Sequence, residues 1–365
     1  MHPHLRLASY RSILSPFFKT MNNKVPSLIS RLTALALFSS PFCVTQTHGQ
    51  EVYSQIVGAI ALDVPSQSDV VVAFPFKRSA SIRGQVSSVE ASAVAISDVA
   101  LTANEFAATG GEPTHYLYVE SGALEGRRYD IVSNTATTIT VDGAEIGALD
   151  DAQVSVREHW TLGKAFPSGL GEPEVEPGLR QFELIVPTQV SLGTGIAAER
   201  VFYFYNSAWR EVGKPLTKSA SNVAFEPGTA FVVRNNAMDT LRTYLFGEVV
   251  QSTLAIPVVS SAAEAVDNFV AFERPLAVSL DELDGVTEVI EAGDRLVVFG
   301  RTNKFGPGKS VVEYEYTGVQ WQQVGTTANA GGHMIEPGEG IAIRKAAGAD
   351  AENFWVNEWS LPTND

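Results

Sequence analysis

The chain is predicted to be all-β, and three observations predict it. Short runs rich in valine, threonine and aromatic residues alternate with clusters of glycine, proline and asparagine, and long helical periodicity is missing. The stretch Tyr203-Phe204-Tyr205-Asn206-Ser207-Ala208-Trp209-Arg210-Glu211-Val212-Gly213 returns about 110 residues later as Tyr314-Glu315-Tyr316-Thr317-Gly318-Val319-Gln320-Trp321-Gln322-Gln323-Val324-Gly325. Each copy then runs into Glu-Pro-Gly (226–228 and 336–338) and a β-rich segment ending in a basic residue, Phe231-Val232-Val233-Arg234 and Ile341-Ala342-Ile343-Arg344. A stretch that returns at such a distance marks a modular chain. The expected architecture is therefore repeated antiparallel β modules, sandwich- or barrel-like, after an N-terminal signal segment.

That segment is residues 1–49. It carries five basic residues (Arg6, Arg11, Lys19, Lys24 and Arg31) and no acidic one, and its apolar stretch, Leu32 to Cys43, is too short to span a bilayer. A cut near Gly49 is expected, and Met21 is an alternative start. Phe42 before Cys43 argues against a lipid-anchor site. Such a cut would remove five of the 26 basic residues and none of the 41 acidic ones, which leaves a charge near −20. An acidic chain is a poor match for nucleic acid or anionic lipid. It would also lose its single cysteine, and with it disulfides, thiolate metal sites and a cysteine nucleophile. No later stretch is apolar for long enough to form a spanning helix. The expected location is outside the cytoplasm: periplasm, cell surface or medium.

Three regions follow. Residues 50–158 read as a β-meander. Its expected strands are Asp69 to Phe76, Ser81 to Val86, Val94 to Leu101, His115 to Ser121, Arg127 to Val132 and Thr137 to Val141. In His115 to Ser121, Tyr116 and Tyr118 share one face while Leu117 and Val119 share the other. The segment Ser121-Gly122-Ala123-Leu124-Glu125-Gly126 is a glycine-bounded hairpin link. Residues 159–250 form the first copy of a module, with a strand at Phe182 to Val186, the opening aromatic stretch, Thr229 to Arg234 and a closing strand at Leu241 to Val250. Residues 251–365 form the second copy. There Asp267-Asn268-Phe269-Val270-Ala271-Phe272 echoes Asp69-Val70-Val71-Val72-Ala73-Phe74, so the first region lends part of the pattern.

Strand alternation assigns faces. Glu313 and Glu315 lie opposite Tyr314 and Tyr316, and a carboxylate-bearing face belongs in water. In the first copy Phe202 and Phe204 stand where those glutamates are expected. They are therefore predicted to be covered at a module interface. Trp209 and Trp321 follow the hairpin turns and are predicted to pack in the core of their modules.

Candidate chemistry is sparse. Beyond the leader only His115, His159 and His333 remain, with no second histidine at ligand spacing, so a zinc site is not expected and His159 beside Trp160 reads as packing. No nucleophile elbow, HExxH or phosphate loop is found, and no catalytic residue or cofactor is predicted. Asp281-Glu282-Leu283-Asp284-Gly285 lacks the ligand alternation of a calcium loop and reads as a solvated acidic face, although charge alone leaves weak calcium binding open. Tyr116, Tyr118, Trp355 and Trp359 are candidate ligand-stacking aromatics. The competing assignment for them is core or inter-module packing. The Glu-Pro-Gly segments read as turns.

The order Val72-Ala73-Phe74-Pro75-Phe76, Leu101-Thr102-Ala103-Asn104-Glu105-Phe106, Ser121-Gly122-Ala123-Leu124-Glu125-Gly126, Asn134-Thr135-Ala136-Thr137, His159-Trp160-Thr161-Leu162, the two aromatic-Trp-Val-Gly units and Arg344-Lys345-Ala346 resembles a paralogous family of exported β-rich proteins of the Verrucomicrobia. The resemblance spans about residues 65–358. It implies export and a β fold, and carries no activity, cofactor or catalytic residue. Family members often read Tyr-Tyr-Tyr-Asn-Gly-Ala-Trp-Arg. This chain keeps Trp209-Arg210 but has Trp321-Gln322 in the second unit.

The expected function is that of a non-catalytic structural or binding protein of the cell envelope, with a polysaccharide or an envelope protein as its partner. The alternative is a polysaccharide-active enzyme or carbohydrate-binding module.

Overall fold

The computed structural model describes residues 56–143, 146–172, 174, 176–188, 197–249, 251–283, 285–300 and 311–358. The expected leader (1–49), Asp284 and Trp359 lie outside them. Half of the chain is in strands, and the sheets are antiparallel.

The chain opens with β1 (Val57–Val64) and β2 (Ser68–Ala73). It then builds a closed barrel from β3 (Ala80–Glu90), β4 (Ala93–Ile96), β5 (His115–Val119), β6 (Arg128–Asn134), β7 (Thr138–Asp142) and β8 (Gln153–Glu158), in the order β3-β4-β7-β6-β5-β8. After the barrel come β9 (Trp160–Thr161), the short helix α1 (Leu162–Ala165), β10 (Phe182–Pro187), β11 (Ala198–Tyr205), β12 (Ala208–Glu211), β13 (Ala224–Phe225), β14 (Ala230–Asn235) and β15 (Leu241–Glu248). The last part consists of β16 (Leu254–Ser260), β17 (Val266–Ala271), β18 (Val278–Ser279), β19 (Arg295–Phe299), β20 (Val311–Tyr316), β21 (Trp321–Gln323), β22 (Met334–Ile335), β23 (Gly340–Lys345) and β24 (Ala351–Asn357).

Strand pairing redraws the expected first region, residues 50–158, at its beginning. β1 pairs with β15, and β2 is the edge strand of the five-stranded sheet β12-β11-β10-β14-β2. Residues 57–73 therefore belong to the first module, and the barrel is inserted within that module between β2 and β9. The second module has the same order, β21-β20-β19-β23-β17, with the ribbon β16-β24 matching β1-β15 and the short pair β18-β22 matching β9-β13. Where the first module carries the barrel, the second has only the link from Phe272 to Ala277 between β17 and β18.

Each five-stranded sheet buries both faces. One face of the first sheet packs Val70, Val72, Leu184, Phe202, Trp209 and Val233 against the ribbon residues Leu62 and Leu245. The second module repeats this with Val270, Leu296, Tyr314, Trp321, Ile341 and Ile343 beneath Ile256 and Trp355. The opposite faces meet each other: Val71, Ile185 and Val232 of the first sheet pack on Phe269, Val297, Phe299 and Ala342 of the second. The buried runs of β2, β14, β17 and β23 read as continuous apolar stretches rather than alternation because both faces are covered.

Phe202 and Phe204, expected at the module interface, lie instead on the core side of their own module. Phe202 is fully buried there, and Phe204 packs edge-on to Trp209 at 5.8 Å. Pairing explains the difference. Phe202 pairs with Leu184 as Tyr314 pairs with Leu296, and Phe204 pairs with Trp209 as Tyr316 pairs with Trp321. Phe202 is thus the counterpart of Tyr314. Aligning Tyr203 with Tyr314 is off by one residue, and a slip of one inverts every side chain. Val201 and Val311 pack at the sheet-to-sheet contact in their place. Trp209 and Trp321 lie in the two module cores.

The Glu-Pro-Gly segments do more than turn the chain. Thr229 N–H donates to the Glu226 carbonyl (3.2 Å) and Glu339 N–H to that of Glu336 (3.0 Å). With Gly228 at φ 75° and Gly338 at φ 76°, each is a type II turn, which needs glycine at its third position. The Gly228 carbonyl then accepts from Ala271 N (2.9 Å) in the second module, and the Gly338 carbonyl accepts from Ala73 N (3.0 Å) in the first. The two turns lock the modules reciprocally.

Candidate functional site: a carboxylate and histidine cluster at the barrel seam

The barrel docks by the face its alternation leaves outside. Leu117, Val119, Val154 and Val156 fill its interior. Tyr116, Tyr118, Ser155 and Arg157 point outward, and pairing sets Tyr116 beside Arg157 on one side and Asp130 on the other. Asp130 in turn pairs with Asp142. The modules cover part of this row, and the chain leaves the barrel at its edge through His159.

His159 joins β8 to β9, so it is fixed from both sides. Its N–H donates to the Thr114 carbonyl (3.0 Å), its side chain is fully buried, and its ring lies 4.8 Å from that of Tyr116. Nδ1 is 3.3 Å from the Phe225 carbonyl and Nε2 is 2.9 Å from Asp130 Oδ1. The type II turn brings in Glu226, and one ligand atom from each of Asp130, His159 and Glu226 falls within 4.8 Å of the other two. Partial burial, then the charge of Asp130, pushes the Glu226 carboxyl above its usual range; Arg128 opposes that shift, its Nε 3.9 Å away. The Glu226 side chain is still 45% exposed, so water tempers the effect. Glu226 also lines a groove of about 500 Å³, floored by Phe225, Phe231 and Phe269 and flanked by Glu112 and Arg200.

An imidazole nitrogen and two carboxylates on fixed strands and a tight turn can hold a divalent cation, hold a proton between His159 and Asp130, or present carboxylate charge to the groove. None of the three residues stands out in the sequence as a ligand. Asp130 and His159 are 29 residues apart on different elements, and Glu226 sits in a segment that reads only as a turn. The second module has the matching glutamate, Glu336, but the residue before its β18 is Ala277, where the first module has His159 before β9.

The sequence-predicted aromatics fall elsewhere. Tyr116, Tyr118 and Trp355 are 2%, 1% and 0% exposed, so no ligand can stack on them. Burial raises the Tyr116 hydroxyl well above the normal tyrosine range. Tyr118 is a junction residue: the Lys77 ammonium lies 3.7 Å over its ring and its hydroxyl is 2.7 Å from Ser252 Oγ. Trp355 packs edge-on to Phe272 at 5.0 Å. Among the described residues the exposed rings are instead Tyr244 and Phe246 on the outer face of β15, beside Ala61 and Ala59 of β1, with Trp160 edge-on to Phe246 at 6.0 Å. In the calcium-like segment Glu282 turns back to accept from Ser279 N (3.0 Å) and Ser279 Oγ (2.8 Å), capping a 3₁₀ turn. Its carboxylate is already engaged.

No family profile, curated protein or solved structure matches this chain. No described helix is long and apolar enough to cross a membrane.

Proposed function

We propose that the chain is an exported, non-catalytic structural or binding protein of the cell envelope. The observation that carries this reading is the way its parts are locked. Two sheets packed back to back are tied by reciprocal turn-to-strand hydrogen bonds and the buried Lys77–Glu273 ion pair, and the barrel is held on the first module by the buried Arg157–Glu248 pair. A stiff frame of this kind presents surfaces in fixed relation, as a scaffold or binder requires. The basic, short-cored leader, the acidic charge and the resemblance to the verrucomicrobial family support export. Expression with the native N-terminus in a Gram-negative host, followed by fractionation and intact-mass measurement, is expected to recover a chain shortened near Gly49 outside the cytoplasm. A full-length chain retained in the cytoplasm would count against export. Turnover of a polysaccharide or ester substrate that His159→Ala abolishes, while leaving the fold intact, would overturn the non-catalytic reading.

A second reading, carbohydrate binding, is favoured by one observation: the exposed Tyr244 and Phe246 rings on a strand beside small alanines. Flat rings on an open strand suit stacking against sugar faces. On a glycan array, with and without calcium, wild-type binding that is lost in Tyr244→Ala and Phe246→Ala would support it. Equal signals from wild type and variants would remove it.

A further inference from the structure

We propose that Asp130, His159 and Glu226 form a binding site for a divalent transition-metal ion of the zinc and manganese class, shared between the barrel and the first module. Among the described residues it is the one group of at least three such side chains whose ligand atoms converge. The donor set names the class. One imidazole nitrogen with two carboxylate oxygens suits zinc or manganese, whereas calcium takes oxygen ligands.

The histidine is arranged as a ligand. The Phe225 carbonyl, an acceptor, lies 3.3 Å from Nδ1, where the ring of a metal-bound histidine carries its proton. Nε2 lies 2.9 Å from Asp130 Oδ1, on the side where the ligand atoms of Asp130 and Glu226 converge. A proton on Nε2 would satisfy Asp130 alone, whereas a metal ion would engage Asp130, His159 and Glu226 together. Backbone and carbonyl anchoring of the ring is the kind of support that fixes the tautomer of metal-bound histidines.

Placement adds a consequence. Asp130 belongs to the barrel, Glu226 to the first module, and His159 is the residue that connects them. An ion held by all three would tie the barrel to the module. Three protein ligands leave coordination positions for water or a ligand oxygen, and Glu226 lines the groove from which these would come. Arg128, 3.9 Å from Glu226, repels a cation and sets a limit on affinity.

The test uses tag-free full-length protein stripped with a chelator and titrated by calorimetry with Zn²⁺, Mn²⁺ or Ca²⁺ alone, alongside thermal unfolding. One Zn²⁺ per chain is expected, with weaker Mn²⁺ uptake and a higher Tm in the loaded form. Glu226→Gln changes a half-exposed side chain and should leave the fold intact while weakening Zn²⁺ binding by about tenfold or more. Asp130→Asn should do the same, and Glu336→Gln in the second module should bind as wild type does. Absence of Zn²⁺ uptake by wild type, or equal uptake by wild type and Glu226→Gln, would overturn the site and leave a His159–Asp130 ion pair only. Calcium binding with the same sensitivity to Glu226→Gln would overturn the metal class.

Discussion

His159 and His333 show how differently two histidines can be used in one chain. The first has an acceptor at each ring nitrogen. The second, on the approach to β22, lies 5.0 Å from the Tyr314 ring and its Nε2 is buried with no hydrogen-bond partner. Desolvation lowers the His333 pKa below the ordinary 6.5. The unfolded chain therefore takes up this proton more readily than the folded one, so the native state keeps its full stability above about pH 6.5 and loses some as pH falls below it. His333→Leu removes the titrating group, and its Tm is expected to fall less than that of wild type between pH 7.5 and 5.5. Identical slopes would show that His333 contributes nothing to acid sensitivity. Neither role is legible in the sequence. A lone histidine carries no signal of its surroundings, and the partners of His159 come from strands and a turn that only the tertiary fold brings together.

At the scale of elements, turns and pairing decide more than composition does. The β11-β12 hairpin places Asn206 at φ 50° and Ser207 at φ 56°, the two left-handed positions of a type I′ turn. Asparagine tolerates that region and serine does less well. Ser207→Gly is expected to stabilise by about 0.5–1 kcal/mol in urea unfolding, because the left-handed conformation costs a residue with a Cβ about that much or more. A destabilised variant would mean that the serine side chain holds the turn. The echo of Asp69 to Phe74 in Asp267 to Phe272 is legible because both are edge strands of matching sheets with the same cross-strand ion pair, Asp69 with Arg234 and Asp267 with Arg344. The faces of β11 are not legible in the same way. Phe202, Tyr203, Phe204 and Tyr205 are all aromatic, so side-chain type cannot fix which residue matches Tyr314, and only the pairing of Phe202 with Leu184 resolves it.

At the scale of the whole molecule, three bodies meet on buried charge. Lys77, just after β2, pairs with Glu273 of the second module at 2.9 Å, both almost fully buried, and Glu273 also accepts from Gly228 N (3.1 Å). Arg157 of the barrel reaches Glu248 of the first module at 3.1 Å, and Arg83 reaches the same carboxylate at 2.8 Å. Removing one partner of such a pair strands the other. Lys77→Met is therefore expected to cost about 3–5 kcal/mol. Adding Glu273→Gln should recover part of that loss, and a double-mutant cycle in urea should show coupling well above additivity. Additive single effects would mean that the two side chains do not act as a pair. Modularity could be read from the repeated aromatic stretch, whereas this three-way junction could not. Its members are scattered along the chain and each, taken singly, reads as a surface charge.

The barrel begins and ends side by side, Ala80 pairing with Arg157, so the first module accommodates about 80 extra residues without opening its own sheets. The second module has the same junction in its uninterrupted form, and there Leu276 and Ala277 are exposed. That junction is a natural grafting point. A guest domain whose termini lie close together, spliced between Leu276 and Ala277, should fold alongside its host and leave the host's Tm nearly unchanged, whereas the same splice within β23 should abolish soluble expression.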